Sequence, residues 1–170
     1  MAKVLFIIAQ DKFRDEELLE PKMEVENAGH EAVVASITTN TCTGMLGETI
    51  TPDLAVKDVN IDDYAIIAVI GGQGAPDLMN YPEVMDLLKQ AKAKDMNLAA
   101  ICIAPMILAK AGVLQGKNAT VYQTPNSMAA LDEAGATMVS QDVVVDTKLV
   151  TASGPHVAKE FGLKLVEMLN

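Results

Sequence analysis

Four short, largely apolar runs are spaced along the chain, each separated from the next by a longer and more polar stretch. They cover Val4–Ala9, Ala32–Ile37, Ala65–Ile70 and Leu98–Ile101. Apolar runs of this length without alternation are typical of strands that are buried on both faces of a parallel sheet. Two more strands are predicted at Val143–Val145 and Lys148–Thr151, and a small hairpin or edge excursion at Thr43–Thr51.

The polar stretches between these runs carry apolar residues at helical spacing. The first has Leu18, Pro21, Val25 and Ala28 on one face and stops at Gly29, a residue type that commonly ends helices. Buried strands that alternate with amphipathic helices predict a single α/β domain over residues 1–170, with a mainly parallel sheet covered on both sides. The predicted helices are Glu16–Ala28, Tyr81–Lys94, Pro105–Ala111, Asn126–Ala134 and, at the end, His156 to Met168.

Composition narrows the classes of protein that fit. Half of the residues are hydrophobic, 4% are aromatic and the formal net charge is −10. An acidic chain without a basic tract is poorly suited to nucleic acid or to an anionic membrane surface. No apolar run is long enough for a secretory signal or a membrane span, so we expect a cytoplasmic protein. Cys42 and Cys102 are the only cysteines, and no Cys/His cluster has metal-ligand spacing, so we expect no disulfide framework and no metal.

Polar and reactive residues directly follow four of the predicted strands. These segments are Gln10–Glu17, Gly71–Pro76, Cys102 and Ser153–His156. In open parallel sheets ligands bind beyond the carboxyl ends of the strands, so we expect the four segments to converge on one edge. His30 precedes a strand and is therefore expected at the opposite edge, as a surface histidine.

Cys102 lies where a strand meets a helix without a loop, within the segment Ala100–Pro105. Small residues two positions before and after it resemble a nucleophile elbow, in which a tight turn crowds the strand against the helix. A cysteine at that place points outward at a helix N-terminus, where the dipole and free N–H groups are expected to lower its pKa. The alternative is a small buried hydrophobic residue, which is a common role for cysteine.

Gly71 and Gly72 follow a buried strand and provide the second element of the predicted site. Together with the backbone N–H of Ile103 they would form an oxyanion hole, and the alternative is a simple turn. His156 is the only histidine predicted on this edge, where it either assists proton transfer or simply starts the last helix. Cys42 lies outside any elbow pattern and is expected to be structural.

Several acidic residues cluster at the start of the first helix and provide the third element. Most are expected to be solvated, because carboxylates are favourable near a helix N-terminus. One of them is expected to turn toward the thiol, where burial and a neighbouring thiolate would raise its pKa enough to keep it protonated. The four candidates are Asp15, Glu16, Glu17 and Glu20.

Five motifs, taken in chain order, resemble the ThiJ/PfpI superfamily. This superfamily includes the Parkinsonism-associated deglycase and the archaeal intracellular PfpI-type proteases. The resemblance covers nearly the whole chain, and its most specific part is the cysteine elbow combined with an upstream glutamate. The motifs are Phe13–Leu18, Gly71-Gly72, Ala75-Pro76, Ala100–Pro105 and Ser153–Pro155.

The resemblance implies a flavodoxin-like three-layer sandwich of the kind found in class I glutamine amidotransferases, and a homodimer or larger homo-oligomer. It implies that Cys102 is the nucleophile and that Glu17 holds the cysteine sulfur. Gly72 and Ile103 match the family's backbone donors. Gly154-Pro155 matches a pocket segment, which would put His156 near the pocket.

Two departures from the family pattern affect the function. PfpI-type proteases carry a histidine directly after the cysteine, where this chain has Ile103, which cannot transfer a proton. The deglycase branch often has a histidine where this chain has Thr124. Class I glutamine amidotransferases use a late His-x-Glu pair, which His156-Val157-Ala158 does not supply.

Three functions therefore stay open. The first is a cysteine-dependent, glutathione-independent enzyme that acts, without a cofactor, on small aldehydes or on early glycation adducts of protein side chains. The second is a redox-sensing stress protein or chaperone, in which Cys102 is oxidised and Glu17 hydrogen-bonds the product. The third is an intracellular cysteine peptidase that uses His156, a reading disfavoured by Ile103.

Overall fold

The apolar runs of the sequence become the inner strands of a seven-stranded sheet. The computed structural model describes residues 1–170, and the strands and helices are as follows. The strands are β1 (Lys3–Ile7), β2 (Asp11–Phe13), β3 (Glu31–Ser36), β4 (Cys42–Gly44), β5 (Thr49–Ile50), β6 (Leu54–Ala55), β7 (Ile66–Val69), β8 (Asn97–Ile101), β9 (Asn118–Ala119), β10 (Thr137–Met138), β11 (Val143–Asp146) and β12 (Leu149–Ala152). The α-helices are α1 (Asp15–Asn27), α2 (Pro82–Ala93), α3 (Pro105–Lys110), α4 (Pro125–Glu133) and α5 (Ala158–Met168).

The main sheet has the strand order β11-β12-β8-β7-β1-β3-β6. Every neighbouring pair is parallel except β11 and β12, which form an antiparallel hairpin at one edge. In the central strands Val4 lies beside Ala32 on one side and Ile66 on the other. Because the inner strands are parallel, their carboxyl ends share one edge, as the sequence predicts.

Alternate residues of the strands feed two separate hydrophobic cores. Val4 and Phe6 face one core, which α1 and α5 cover, whereas Leu5 and Ile7 face the other, which α2, α3 and α4 cover. Each strand is therefore apolar on both faces, which explains why the sequence shows continuous apolar runs instead of alternation. The predicted three-layer α/β sandwich with a mainly parallel sheet is confirmed.

A second, small sheet lies beside the carboxyl edge and was only partly predicted. The hairpin expected within Thr43–Thr51 is present as the antiparallel pair β4 and β5. β2, however, pairs in parallel with β4, where the sequence analysis placed only a polar segment. Asp11 and Lys12 are exposed and Lys12 has a φ of 56°, so no hydrophobic pattern marks this strand.

The last helix begins later than the sequence predicted. α5 starts at Ala158, and Pro155–Val157 forms a separate 3-10 turn. Gly154 is extended immediately before this turn, so the helical conformation does not reach back to it. His156 consequently lies in the turn and is not the first residue of α5.

Candidate active site

Cys102 occupies a strained turn between β8 and α3. Its φ is 63°, in the left-handed region that residues other than glycine rarely adopt. Two backbone hydrogen bonds hold it there: its N–H donates to the carbonyl of Ala152 over 2.8 Å, and its carbonyl accepts from the N–H of Tyr122 over 2.7 Å. Ala100 and Ala104, the small residues on either side, are fully buried. The local geometry is therefore the elbow that the sequence predicts.

Glu17 is the acid that turns inward from α1. It is fully buried, and Oε2 accepts a hydrogen bond from the N–H of Gly71 over 2.9 Å. Its other oxygen, Oε1, is buried without a hydrogen-bond donor. Burial raises the pKa of Glu17 to about 8, and interactions with the thiol of Cys102 and with the Gly71 N–H offset only part of this rise. The carboxyl therefore carries a proton at neutral pH.

The other three acids have different environments. Asp15 is buried but bridges to the hairpin, since its carboxylate accepts from the N–H groups of Leu46 and Glu48 over 2.8 and 2.9 Å. Glu16 forms an ion pair with Arg14. Glu20 is half-buried and lies outside the cavity described below. Sequence spacing alone did not separate these roles, whereas the resemblance selected Glu17.

Gly71 fits between Glu17 and Cys102 because it has no side chain. A Cβ atom at this position would lie 2.5 Å from Glu17 Oε2, 2.7 Å from the carbonyl oxygen of Ile101 and 2.8 Å from Cys102 Cβ. The next residue, Gly72, has a φ of 116°, which L-amino acids with side chains rarely adopt. The glycine pair thus lets the strand end approach the elbow closely.

The backbone N–H groups of Gly72 and Ile103 act to lower the pKa of the Cys102 thiol. They favour the thiolate, but burial, followed by the charge of Glu17 and a hydrogen bond with it, raises the pKa of the thiol to about 12. The expectation of a lowered thiol pKa was therefore wrong. The N–H of Ile103, just before α3, acts in the expected direction, but desolvation and the adjacent carboxyl outweigh it.

Cys102 and Glu17 titrate as one coupled pair. Both groups hold their protons at neutral pH, and the first proton leaves the pair near the pKa of about 8 that belongs to Glu17. The remaining proton is then shared between a carboxyl and a thiol, and the negative charge can reside on either. This arrangement can take a proton from the thiol when the sulfur attacks an electrophile.

A cavity of about 480 Å³ opens beside this pair. Gly72 and Ile103 line it, as do Pro76 and Pro155 from motifs that the sequence analysis identified. Four further lining residues have no role predicted from the sequence. Arg14 and Gln73 lie within segments expected at this edge but have no predicted role, whereas Met45 and Tyr122 lie outside those segments. These four are Arg14, Met45, Gln73 and Tyr122.

His156 is not brought into this cavity within one chain. It lines a neighbouring cavity of about 420 Å³, which meets the first only at Tyr122. Its Nε2 lies 3.4 Å from Asp142 Oδ1, and the same oxygen accepts a hydrogen bond from Ser153 Oγ over 2.9 Å. The His156 side chain is 60% exposed. The nearness that the resemblance implied extends to Pro155 but not to His156.

The two remaining candidate residues have structural surroundings. Cys42 is fully buried, and burial raises the pKa of its thiol. Gln10 Nε2 lies 3.4 Å from its sulfur. His30 is half-buried away from the elbow, where its Nδ1 accepts from the N–H of Ala2 over 3.1 Å.

Fold and site together define a class: an α/β sandwich with a cysteine elbow paired to a buried glutamate. Residues 2–168 match the model of the DJ-1/PfpI family, and the chain belongs to this family. An uncharacterised protein of Methanocaldococcus jannaschii is 43% identical over 169 residues, which cover 99% of this chain and 82% of that protein. A protein of Thermococcus kodakarensis named as a deglycase is 34% identical over 90% of both chains.

Solved structures with the same fold agree with this assignment. The ThiJ/PfpI domain protein from Brachyspira murdochii matches with a TM-score of 0.93 and 28% identity, over 99% of this chain and 96% of that one. The oxidised form of DJ-1 from Toxoplasma gondii matches with a TM-score of 0.88 and 32% identity, over 99% and 91% of the two chains. None of the helices in this chain combines the length and the apolarity needed to cross a membrane.

Proposed function

We propose that this chain is a cysteine-dependent, glutathione-independent enzyme of the deglycase type. Its substrates would be small reactive carbonyl compounds, or the early adducts that they form with protein side chains. The observation that carries this proposal is the buried Glu17 carboxyl beside the thiol of Cys102, with Oε1 free of other donors, at a cavity open to a ligand. The deglycase names of several relatives support it.

The proposed reaction begins with addition of the thiol to an aldehyde such as methylglyoxal. The reactive form is the pair that has lost one proton, in which Glu17 is a carboxylate. The S–C bond forms, the thiol proton passes to this carboxylate and the carbonyl π electrons move onto oxygen. The N–H groups of Gly72 and Ile103 stabilise this oxyanion, and the loss of one such donor typically costs about 3–4 kcal/mol of transition-state stabilisation. Protonation of the oxygen gives a hemithioacetal.

Glu17 also serves the second half of the reaction. As a carboxylate it removes the proton from the carbon that carries sulfur, and as an acid it returns a proton to the neighbouring carbon. The enediol-like intermediate thereby becomes a thioester of Cys102. Water then cleaves the C–S bond, which releases a 2-hydroxy acid and restores the thiol.

Turnover of methylglyoxal without glutathione tests the proposal. Cys102→Ser is expected to abolish lactate formation, and Glu17→Gln to reduce it by at least about a hundredfold, because general acid–base groups typically contribute that much. Cys42→Ala is the matched control, since it removes the other thiol and leaves the cavity intact. Full turnover by Cys102→Ser would rule out the mechanism.

The second candidate function, a redox-sensing stress protein, is favoured by the partial exposure of Cys102 and by the similarity to the oxidised Toxoplasma DJ-1. Two equivalents of peroxide would convert the thiol to a sulfinic acid with release of two waters, and protonated Glu17 would donate to a sulfinate oxygen. Mild peroxide followed by peptide mapping distinguishes the two functions. Addition of two oxygen atoms at Cys102 in a chain without carbonyl turnover supports the sensor.

A homo-oligomer, which the resemblance implies, is also proposed. Exposed apolar side chains lie on α1 and at the tip of the β4–β5 hairpin, where Met45 also lines the cavity, and a second copy would cover them. They are Leu19, Met23, Met45 and Leu46. Sedimentation at micromolar concentration is expected to show at least a dimer that Leu46→Glu dissociates, and a wild-type monomer would contradict this.

A further inference from the structure

Arg14 is the only cationic side chain among the residues that line the Cys102 cavity. Glu17 is the only acidic one there, and it holds a proton at neutral pH because its pKa is about 8. The chain as a whole carries a formal charge of −10, so the cation at this position is opposite in sign to the net charge of the protein. Neither the elbow nor the proposed proton transfers require it.

The hydrogen bonds of Arg14 leave part of its guanidinium free. Nε donates to Glu16 Oε2 over 2.6 Å, and Nη2 donates to Glu16 Oε1 over 3.2 Å. A guanidinium has five N–H donors, so the edge between Nη1 and Nη2 keeps one free donor on each nitrogen, and the second donor of Nη1 is free as well. The backbone is fixed as well, because the N–H of Arg14 donates to the carbonyl of Gly71 over 2.9 Å.

Other acids near Arg14 do not compete for this free edge. Asp15 directs its two oxygens to the N–H groups of Leu46 and Glu48 on the hairpin. Glu17 accepts from Gly71. Only Glu16 pairs with Arg14. The Glu16 side chain is 32% exposed, so Glu16 can turn into solvent when another anion binds Arg14.

We propose that Arg14 determines the substrate specificity of the site by binding a carboxylate that the carbonyl substrate carries. The substrate class is then small aldehydes and 2-oxoaldehydes with an anionic group, in preference to neutral ones. The free donors on Nη1 and Nη2 that point the same way are parallel and match a carboxylate geometrically, and charge-assisted hydrogen bonds of this kind are strong. The inference rests on the proposed function for the reaction that the substrate undergoes. The recognition of negative charge by Arg14 does not depend on that function.

A pair of alkylating reagents of nearly equal size tests this charge recognition without any turnover. Iodoacetate is anionic and iodoacetamide is neutral, and both react by forming a bond from sulfur to carbon while iodide leaves and the thiol proton passes to solvent. The intrinsic reactivity of the Cys102 thiol affects both rates equally, so it drops out of the ratio of the two rates. The ratio is measured at pH 7 by peptide mapping and is normalised to the unfolded chain.

Arg14→Gln is expected to lower the normalised iodoacetate-to-iodoacetamide ratio by about three- to tenfold, as expected for the loss of one partly screened charge that lines the same cavity. Arg14→Lys, which keeps the charge, is expected to retain most of the ratio, and Glu16→Gln to raise it. Lys12→Gln is the matched control, because Lys12 is an exposed cation two residues away that does not line the cavity. Equal ratios for Arg14→Gln and Lys12→Gln would overturn the proposal.

A ligand pair links this result to the substrate class. Glyoxylate is the carboxylate analogue of glyoxal, and either aldehyde protects Cys102 from iodoacetamide by forming a hemithioacetal. We expect glyoxylate to protect wild-type Cys102 at a lower concentration than glyoxal, and Arg14→Gln to remove this preference. If Arg14→Gln lowers the ratio while Cys102→Ser still turns over methylglyoxal, the proposed function fails and the anion site stands. If Arg14→Gln leaves the ratio unchanged while turnover of methylglyoxal requires Cys102, the anion site fails and the proposed function stands.

Discussion

Two clusters of chemically capable side chains lie at the same edge of the sheet, and their surroundings differ. Cys102 and Glu17 are held at a strained turn, with a carboxyl that is fully buried and has one oxygen without a donor. Ser153, Asp142 and His156 are bonded to one another and largely exposed. The residue types of the second cluster are those of a serine protease triad, yet the carboxylate, not the histidine, lies at its centre.

The comparison shows that burial and missing partners, more than residue type, distinguish the candidate site. The protein holds Glu17 away from water, which shifts its pKa to about 8. Asp142, in contrast, has its pKa lowered by its hydrogen bonds to Ser153 and then to His156, as in an ordinary surface pair. Perturbed titration is characteristic of functional sites, and only the first cluster shows a large shift.

The largest expected effect is on stability. The cluster that contains Glu17 should make the free energy of unfolding depend on pH. Burial raises the pKa of Glu17 from 4.5 in the unfolded chain to about 8 in the fold, so the native state binds this proton more tightly. Stability should therefore fall as pH rises from about 4.5 to 8, and Glu17→Gln should remove about 3–5 kcal/mol of this fall. Urea unfolding at pH values of about 5, 7 and 9 measures this fall in the free energy of unfolding. These values lie near the ends and the middle of the range.

Glu20→Gln provides the control for this experiment, because it removes a carboxylate from the same helix outside the cavity. Its stability should follow the pH dependence of the wild-type chain. Parallel curves for Glu17→Gln and the wild type would show that the buried carboxyl does not retain its proton.

The next effect concerns the close approach at Gly71. Gly71→Ala places a methyl group against Glu17 and the backbone of Ile101, so we expect a stability loss of about 1–3 kcal/mol. Displacement of the pair should also reduce methylglyoxal turnover by about a hundredfold. Gly112→Ala is the control: its φ is 76° but no atom lies within 4 Å of the added Cβ. Equal turnover in the two variants would contradict the packing argument.

A third effect is a break in the pH profile of Cys102 alkylation. The wild-type rate with iodoacetamide should rise until the pair loses its first proton at a pH of about 8 and then level off. Glu17→Gln should show no break there, because its rate continues to rise with thiol ionisation. A wild-type profile without a break would mean that the two groups titrate independently.

The smallest expected effect belongs to the second cluster. His156→Ala should change methylglyoxal turnover by less than about twofold and stability by no more than about 0.5 kcal/mol, because exposed ion pairs contribute little. Ser153→Ala should behave in the same way. A tenfold loss of turnover in either variant would show that the two clusters act together, a result that the single chain does not predict.

The fold was predictable because apolar runs report strands that are buried on both faces. β1 and β7 follow from such runs, whereas β2 was missed because Asp11 and Lys12 are exposed and its partner β4 is distant in sequence. The two-residue strands β6, β9 and β10 are too short to show any period. Strand patterns therefore predicted the main sheet and the β4–β5 hairpin, but not β2, which completes the small sheet.

The site was predictable in position but not in electrostatics. Small residues around Cys102 predicted the elbow, and the strand ends predicted that Gly72 and Glu17 converge on it. The direction of the thiol pKa was wrong, since desolvation depends on tertiary packing that sequence does not report. Arg14 and Met45 reach the cavity from a loop and a hairpin, whose placement follows from contacts remote in sequence.

The central claim is that Cys102 forms the covalent intermediate while Cys42 does not take part. Rapid quenching of the wild-type chain with methylglyoxal, followed by peptide mapping, tests this claim most directly. We predict that the Cys102 peptide gains the mass of one methylglyoxal during turnover and that the Cys42 peptide stays unmodified. Continued lactate formation without any adduct on Cys102 would contradict the account.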